Sequence, residues 1–448
     1  MMEINDTIAA IATPPGTGAV SMIRVSGDDA FLICDRIFFG KEAIQHAKPY
    51  TMLYGKIQEQ GQILDHVVCG VFCKPASYTG EDTVEFYCHG GVKNTLMVLE
   101  AVLRAGARAA ERGEFSKRAF LNGKMDLSQA EAVIDLIQAG AKTSALQAAG
   151  QLEGGISKKI HAIRDKIVAI NARILAVVDF PDEEINEWEQ TSFFEQLEQV
   201  KESIVNLLQE FQRGRILKTG LRTLLIGKTN AGKSSLLNYL LQEQKAIVTE
   251  IEGTTRDVIE DQLEIKGVPV RLIDTAGIRQ TQDVVEKIGV NRTKELIPQS
   301  DLILFVLDGS KPLDENDLEI FQLIQGKQII YLQNKSDLPQ ALKIDQKVLP
   351  VSCKTGQGMD ELCELIYQAA MKEEQDLSSA PLINNMRHKQ CLERALHSIE
   401  EALKGKEFPL DIVSIDLTDA CRHLGEITGL EVSEETVAHI FADFCVGK

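Results

Sequence analysis

The stretch Leu221-Arg-Thr-Leu-Leu-Ile226, followed by Gly227-Lys-Thr-Asn-Ala-Gly232-Lys233-Ser234 and a helical run over 235–241, decides the fold. An apolar run that leads into a Gly-x-x-x-x-Gly-Lys-Ser loop and then into helical text is a phosphate-binding loop in the strand–loop–helix context it requires. The glycines let backbone N–H groups face a polyphosphate, Lys233 reaches the β and γ oxygens, and the Ser234 hydroxyl is placed to ligate Mg²⁺. Downstream, apolar runs at 270–273, 302–307, 328–332 and 348–351 alternate with helical stretches. That alternation predicts a doubly wound parallel sheet.

Three further motifs follow in order. Leu272-Ile-Asp274-Thr-Ala-Gly277 ends a strand with an acidic residue suited to the Mg²⁺ shell and a glycine whose N–H turns toward a γ-phosphate. Asn334-Lys335-Ser336-Asp337 chooses the base: a carboxylate at Asp337 accepts from guanine N1 and its 2-amino group, a donor pair adenine lacks. A site built on such a polar pair rejects a ligand without it by several powers of ten. Ser352-Cys353-Lys354 is similar to the loop that backs the base, with Cys where Ala is more usual. Together the four motifs imply GTP as ligand and substrate.

Two departures bear on mechanism. Gly277 is followed by Ile278, which cannot orient a water as a glutamine would, leaving Asp283 and Glu286 as acidic candidates. On residue type alone Glu286 also suits an exposed surface glutamate. Asn230 lies within the phosphate loop, and Thr249-Glu-Ile251-Glu-Gly253-Thr254-Thr255-Arg-Asp257 offers a second Mg²⁺ hydroxyl at Thr255. The Asn230 amide oxygen with nearby carbonyls suits a monovalent cation against the phosphates, in the role of an arginine finger worth ~10³ to 10⁵ in rate.

At ~150 residues per domain, 448 residues predict about three domains, and 44% hydrophobic content supplies several cores. The boundaries fall at 1–120, a strand-rich mixed α/β domain; 121–215, helical; 216–375, the nucleotide domain; and 376–448, helical text again. Helical segments on both sides predict one helical domain with the α/β domain inserted. Ile156, Ile160, Ile163, Ile167, Ile170, Ile174 and Val177 form a heptad stripe, suited to packing in the chain's own bundle or to a coiled-coil seam. The acidic run from Pro181 (PDEEINEWEQ) suits a solvated turn or, less well, a metal site. Cys69, Val71 and Cys73 alternate along a strand and share its core-facing side.

A net charge of −18 confines any nucleic-acid site to a local basic patch. The interval 104–124 holds six basic residues (Arg104, Arg108, Arg112, Lys117, Arg118, Lys124) against Glu111 and Glu114, and reads equally as a phosphate-contact patch or a solvated helix face. Nine cysteines without a CxxC pair argue for a reducing compartment, and no run approaches 18 apolar residues. A cytoplasmic protein with no membrane association is expected.

Other strings carry a family resemblance. They are Asp6-Thr-Ile, Ala12-Thr-Pro-Pro-Gly16, Thr79-Gly-Glu-Asp82, His89-Gly-Gly91, Gly113-Glu-Phe-Ser-Lys-Arg-Ala-Phe-Leu-Asn122, Lys124-Met-Asp-Leu-Ser-Gln-Ala-Glu131, Asp179-Phe-Pro-Asp-Glu-Glu184 and Phe444-Cys-Val-Gly-Lys448. With the four nucleotide motifs, they make the chain resemble the bacterial tRNA modification GTPase family MnmE, also called TrmE, over essentially its full length. The resemblance implies an N-terminal α/β folate-binding domain that dimerises, a helical bundle domain and an inserted Ras-like P-loop G domain. It implies a K⁺-dependent GTPase, acting as a homodimer whose G domains pair. With the flavoprotein MnmG, such an enzyme forms the 5-aminomethyl or 5-carboxymethylaminomethyl group on the wobble uridine of tRNA.

Carried onto this chain, the resemblance implies K⁺ ligands Asn230, Thr249, Ile251 and Thr254, Mg²⁺ ligands Ser234 and Thr255, and Glu286 as the water-orienting acid. The GTP contacts implied are Asn230, Ala231, Gly232, Lys233, Ser234 and Ser235; Thr249, Glu250, Ile251, Glu252, Gly253, Thr254 and Thr255; Asp274, Thr275, Ala276 and Gly277; and Asn334, Lys335, Asp337, Ser352, Cys353 and Lys354. A tetrahydrofolate derivative, the 5-formyl or 5,10-methylene form, falls to Arg24, Glu85, Lys124 and Lys448. A carboxylate suits the pterin's amino edge and the cations suit its carbonyl and glutamate-tail oxygens. Cys445 beside that site is either a small apolar residue or a catalytic thiolate. The competing expectation is an Era-like regulatory GTPase of ribosome assembly, against which stand the folate-type N-terminal domain and the Cys-Val-Gly-Lys end.

Overall fold

The computed structural model describes residues 6–179, 187–243, 245–246, 260–274, 294–371, 381–405 and 409–448. The chain forms two compact units, one of residues up to Ile134 together with Gly425–Lys448, the other Asp135–Leu424.

The first unit is built on a seven-stranded sheet of β1 (Ile8–Ile11), β2 (Val20–Ser26), β3 (Phe38–Gly40), β4 (Thr51–Glu59), β5 (Gln62–Phe72), β6 (Thr83–His89) and β7 (Arg108–Ala109), in the order β3-β4-β5-β6-β2-β1-β7. Alternation along β5 and β6 turns Val67, Cys69, Val71, Val84 and Phe86 inward, and Cys73 follows just beyond the end of β5. The helix Val92–Arg104 closes that face with Thr95, Val98, Ala101 and Val102, a stripe at helical spacing. β2 and β6 run antiparallel with Arg24 directly opposite Glu85.

The second unit holds the other sheet: β8 (Leu221–Ile226), β9 (Lys245–Ala246), β10 (Glu260–Ile265), β11 (Val268–Asp274), β12 (Leu302–Asp308), β13 (Ile329–Asn334) and β14 (Val348–Pro350), in the order β14-β13-β12-β8-β11-β10-β9. Five of them pair in parallel, as the apolar runs predict, whereas β10 pairs antiparallel with both β11 and β9. That edge is a hairpin turned at Lys266 and Gly267, both in the left-handed region at φ +49° and +85°. Only Leu263 and Ile265 of β10 are buried apolar residues, too short a signal to read as a strand from sequence.

In the helix Gly155–Asp179, Ile156, Ile160, Ile163, Ile167, Ile170 and Ile174 are all buried within the chain itself, and Val177 is half-buried. The long helix Glu187–Thr219 packs beside it and against Met386–Lys404, presenting Leu197, Val200, Ile204, Leu207 and Phe211. The heptad stripe thus faces the chain's own bundle. Of the acidic run, residues 181–186 lie outside the described residues. Among the described residues, no helix is long and apolar enough to cross a membrane.

Candidate functional site

The phosphate loop emerges from β8, the central strand of the seven, at the carboxyl ends of the parallel strands, where α/β sheets bind nucleotides. Two of its glycines are sterically required. A Cβ on Gly227 would lie 2.2 Å from the Val306 carbonyl oxygen, and one on Gly232 would lie 2.0 Å from Asn334 Nδ2. Asn230 sits at φ +66°, at the loop's turn. The helix Lys233–Glu243 starts at once, so its first N–H groups point into the loop. Lys233 is buried and donates from Nζ to the carbonyls of Gly227, at 2.6 Å, and Lys228, at 2.8 Å. Ser234 and Ser235 are exposed on the first turn, as a metal-binding hydroxyl needs.

The base loop begins at Asn334 on the end of β13, buried, with Nδ2 donating to the Ala231 carbonyl at 2.8 Å. That bond joins two loops more than 100 residues apart in sequence. The buried Ser352 donates from Oγ to Asp337 Oδ1 at 2.7 Å, which holds the Asp337 carboxyl below its ordinary range. Ionised and oriented, that carboxylate is ready to accept the two guanine donors. Cys353 Sγ lies 3.7 Å from Asn334 Oδ1, against the back of the loop. Lys335 adopts φ +61° and donates to Asp308 Oδ2 at 2.7 Å. Burial raises the Asp308 carboxyl, but the bonds from Lys335 and Ser310 outweigh it and leave it low. Asp308 was not singled out in the sequence, because nothing short of the β12–β13 pairing brings it to Lys335.

Asp274 ends β11 beside Leu225 of β8, next to the phosphate loop. Thr249, Glu250, Ile251, Glu252, Gly253, Thr254, Thr255, Thr275, Ala276, Gly277, Asp283 and Glu286 lie outside the described residues.

A second cluster lies in the first unit. Arg24 Nε lies 2.9 Å from Glu85 Oε1, with both side chains nearly buried, and the Tyr87 hydroxyl donates to Glu85 Oε2 at 2.6 Å. Burial and the Glu85 charge push the Tyr87 hydroxyl up to about 12. The guanidinium stands 5.0 Å from the Tyr78 ring centre and 5.7 Å from that of Phe115. Its Nη1 is buried and, among the described residues, has no hydrogen-bond partner. An orphaned donor in an aromatic cage fits the carbonyl or carboxylate of a flat ligand.

The chain's last residues join this cluster. Val446 pairs with Arg112 as an isolated antiparallel bridge, Gly113 N donates to the Cys445 carbonyl at 3.4 Å, and Phe444 is buried. Gly447, at φ +96°, admits no side chain, since a Cβ would lie 2.3 Å from the Ile11 carbonyl oxygen. Burial and the Arg24 charge pull the Lys448 ammonium below its ordinary range, against the opposing pull of Cys445 and Glu85. Arg24, Glu85 and Lys448 therefore share one electrostatic neighbourhood, with Cys445 exposed beside it. Lys124 reaches instead over the turn that carries Tyr78, donating to the Pro75 carbonyl at 3.0 Å. Tyr78 and Tyr87 were not singled out in the sequence.

Half of the basic residues in the interval 104–124 pair with carboxylates. Arg118 is buried, with ion pairs to Asp6 at 2.6 Å, Glu114 at 3.0 Å and Glu81 at 3.2 Å. Arg108 pairs with Asp6 and Glu114, and Arg104 with Glu59. Arg118 thus braces the inside of the unit and presents no surface to a phosphate.

A phosphate loop and a guanine-type base loop, joined by a hydrogen bond at the carboxyl ends of one sheet, define a P-loop protein of the guanine-nucleotide class. The family model described as GTP-binding protein TrmE N-terminus matches residues 7–124, and that described as MnmE helical domain matches 127–445. The chain is 45% identical to the tRNA modification GTPase MnmE of Acetivibrio thermocellus, with 100% of both chains covered. It is 44% identical to that of Carboxydothermus hydrogenoformans and 42% identical to that of Clostridioides difficile, again over 100% of each chain. The chain belongs to the tRNA modification GTPase MnmE family.

Proposed function

We propose that this protein is a K⁺-dependent GTPase that modifies the wobble uridine of tRNA. Together with the flavoprotein MnmG, it builds the 5-aminomethyl or 5-carboxymethylaminomethyl group there, in the cytoplasm and as a homodimer whose G domains pair during hydrolysis. The observation that carries this reading is the coexistence, in a chain matched end to end by tRNA modification GTPases, of the nucleotide loops with the orphaned Arg24 donor of the first unit.

In the G domain, Lys233 neutralises the β and γ oxygens and Asp337 fixes the guanine, with Asn334 and Lys335 shaping the base loop and Ser352, Cys353 and Lys354 backing it. The exposed Ser234 hydroxyl, with Thr255, would hold Mg²⁺, and Asn230, with Thr249, Ile251 and Thr254, would hold K⁺. Such ions supply positive charge where the phosphoryl group departs. Glu286 orients the attacking water.

In the first unit, Arg24, Glu85, Lys124 and Lys448 would hold a tetrahydrofolate derivative, which would supply the one-carbon unit. Glu85 would accept from the pterin edge while Arg24 Nη1 and the lysines would donate to its oxygens. Cys445, exposed beside this cluster, is the candidate nucleophile.

The deciding experiment is mass spectrometry of wobble nucleosides in tRNA from cells lacking the protein and cells restored with it. Loss of the 5-aminomethyl-type uridines and their return on restoration is expected. Unchanged nucleosides would leave a guanine-nucleotide switch and turn attention to ribosome assembly.

A further inference from the structure

The phosphate loop carries a second lysine. Lys228 follows Gly227 immediately, and its Nζ lies 2.6 Å from Asp314 Oδ2 and 2.6 Å from Asp317 Oδ2. An ordinary surface pair is worth little, because two loose side chains must be ordered to form it. Here both carboxylates are already fixed. Asp314 caps the helix Glu315–Leu323, accepting from the backbone N–H of Asn316 and Asp317, and Asp317 Oδ2 accepts in return from the N–H of Asp314 at 3.2 Å. Asp317 is also buried, with its side chain 5% exposed.

The backbone of the same lysine performs a second task. Its carbonyl, with that of Gly227, receives the Lys233 ammonium. Lys228 is therefore anchored by its side chain on one flank and aims Lys233 by its carbonyl on the other. The segment that supplies the anchor also reaches the base loop, since Asp308 holds Lys335 and the Gly309 N–H donates to the Asn334 carbonyl at 2.9 Å. One stretch, 308–317, grips both nucleotide loops.

We propose that Lys228 is a positioning residue for the nucleotide phosphates: clasped by Asp314 and Asp317, it fixes the carbonyls that aim Lys233. In this arrangement 308–317 is the brace that sets the spacing between phosphate and base loops. The inference deepens the proposed function and rests on its assignment of Lys233 to the phosphates.

The test is Lys228→Met, which keeps the stem and removes the charge, read by competition binding of GDP and of GMP. GMP places no β-phosphate at Lys233, so the loss falls on GDP: about tenfold in Kd, against less than about twofold for GMP, as the competent loop becomes a minor state. Lys228→Arg reaches both carboxylates and restores GDP binding. Asp317→Asn reproduces the loss, and the double variant is no worse than either single one. If Asp317→Asn fails to fold, the more exposed Asp314→Asn takes its place. A Lys228→Met protein that binds GDP like the unaltered protein, or loses GDP and GMP alike, overturns the proposal. Lys233→Ala, measured alongside, separates the two failures. Intact GDP binding in that variant removes the phosphate role of Lys233, whereas lost binding there with a silent Lys228→Met removes the clasp alone.

Discussion

Asn334→Ala tests whether the two nucleotide loops are coupled as the hydrogen bond between them indicates. The variant deletes a buried donor whose bond to the Ala231 carbonyl is 2.8 Å long, in a chain where Gly232 has no room for so much as a methyl group beside that amide. A buried bond of this kind is worth ~0.5–1.5 kcal/mol net, and leaving its acceptor unpaired adds ~1–3 kcal/mol. Water reaching the open loop end relieves part of the second cost, so the bias that holds the phosphate loop in shape falls by about 1–2 kcal/mol. The binding-competent fraction of the loop falls in proportion, and at 1.4 kcal/mol per decade the Kd for GDP rises about 5- to 30-fold. GTP suffers equally, because the bond acts on loop shape and not on the γ-phosphate. The assay is titration with a fluorescent GDP analogue, with circular dichroism to confirm the fold. A folded Asn334→Ala protein with an unchanged Kd would refute the coupling.

Three other outcomes are expected. GTP turnover should be much faster in K⁺ than in Na⁺ at equal ionic strength, and equal rates would remove Asn230 from a cation site. Glu286→Ala should lower kcat strongly while leaving GTP affinity nearly intact, since orienting water matters only in the transition state; an unchanged kcat would return Glu286 to the surface. Arg118→Met should destabilise the first unit by ~1.5–3 kcal/mol, read by chemical denaturation, because it takes a charged donor from the buried Glu114 and the half-buried Glu81 while Arg108 still pairs with Asp6 and Glu114. Asp6 is held low by Arg108 and Arg118, and Glu114, though burial raises it, is held low by the same two arginines. Carboxyls lowered on folding contribute stability above their unfolded value, near pH 4, and lose it as pH falls through the folded value. The melting temperature of the unaltered protein should therefore drop steeply below about pH 4, and in Arg118→Met that acid-linked part should shrink.

The G domain was legible because its chemistry lies in contiguous strings. Asp274 and Asn334 end strands, Lys233 and Asp337 follow just beyond strand ends, and a parallel sheet brings such ends together whatever the side chains between them. Arg24 and Glu85 are 61 residues apart, and only the antiparallel register of β2 on β6 sets them opposite. No local pattern encodes that register, so the pair was reached through resemblance. Arg118 misled for a related reason. Its charge reads as surface, yet Asp6 and Glu81 converge on it from two distant segments, beside Glu114 one turn back on its own helix. The hairpin edge of the second sheet escaped notice because β10 is mostly charged or amide residues, Glu260-Asp-Gln-Leu-Glu-Ile265.

The seating of residues 425–448 in the first unit bears on how the protein is made. A growing chain ordinarily completes its first domain before the next has been translated. Here Gly113 and Ile11 await Phe444 and Gly447, which are synthesised after every residue of the second unit. The ribosome therefore releases a finished G domain while the earliest strands still lack their closing segment. The sheet of the first unit therefore gains the segment that packs on Ile11 and Gly113 only after the second unit has been synthesised.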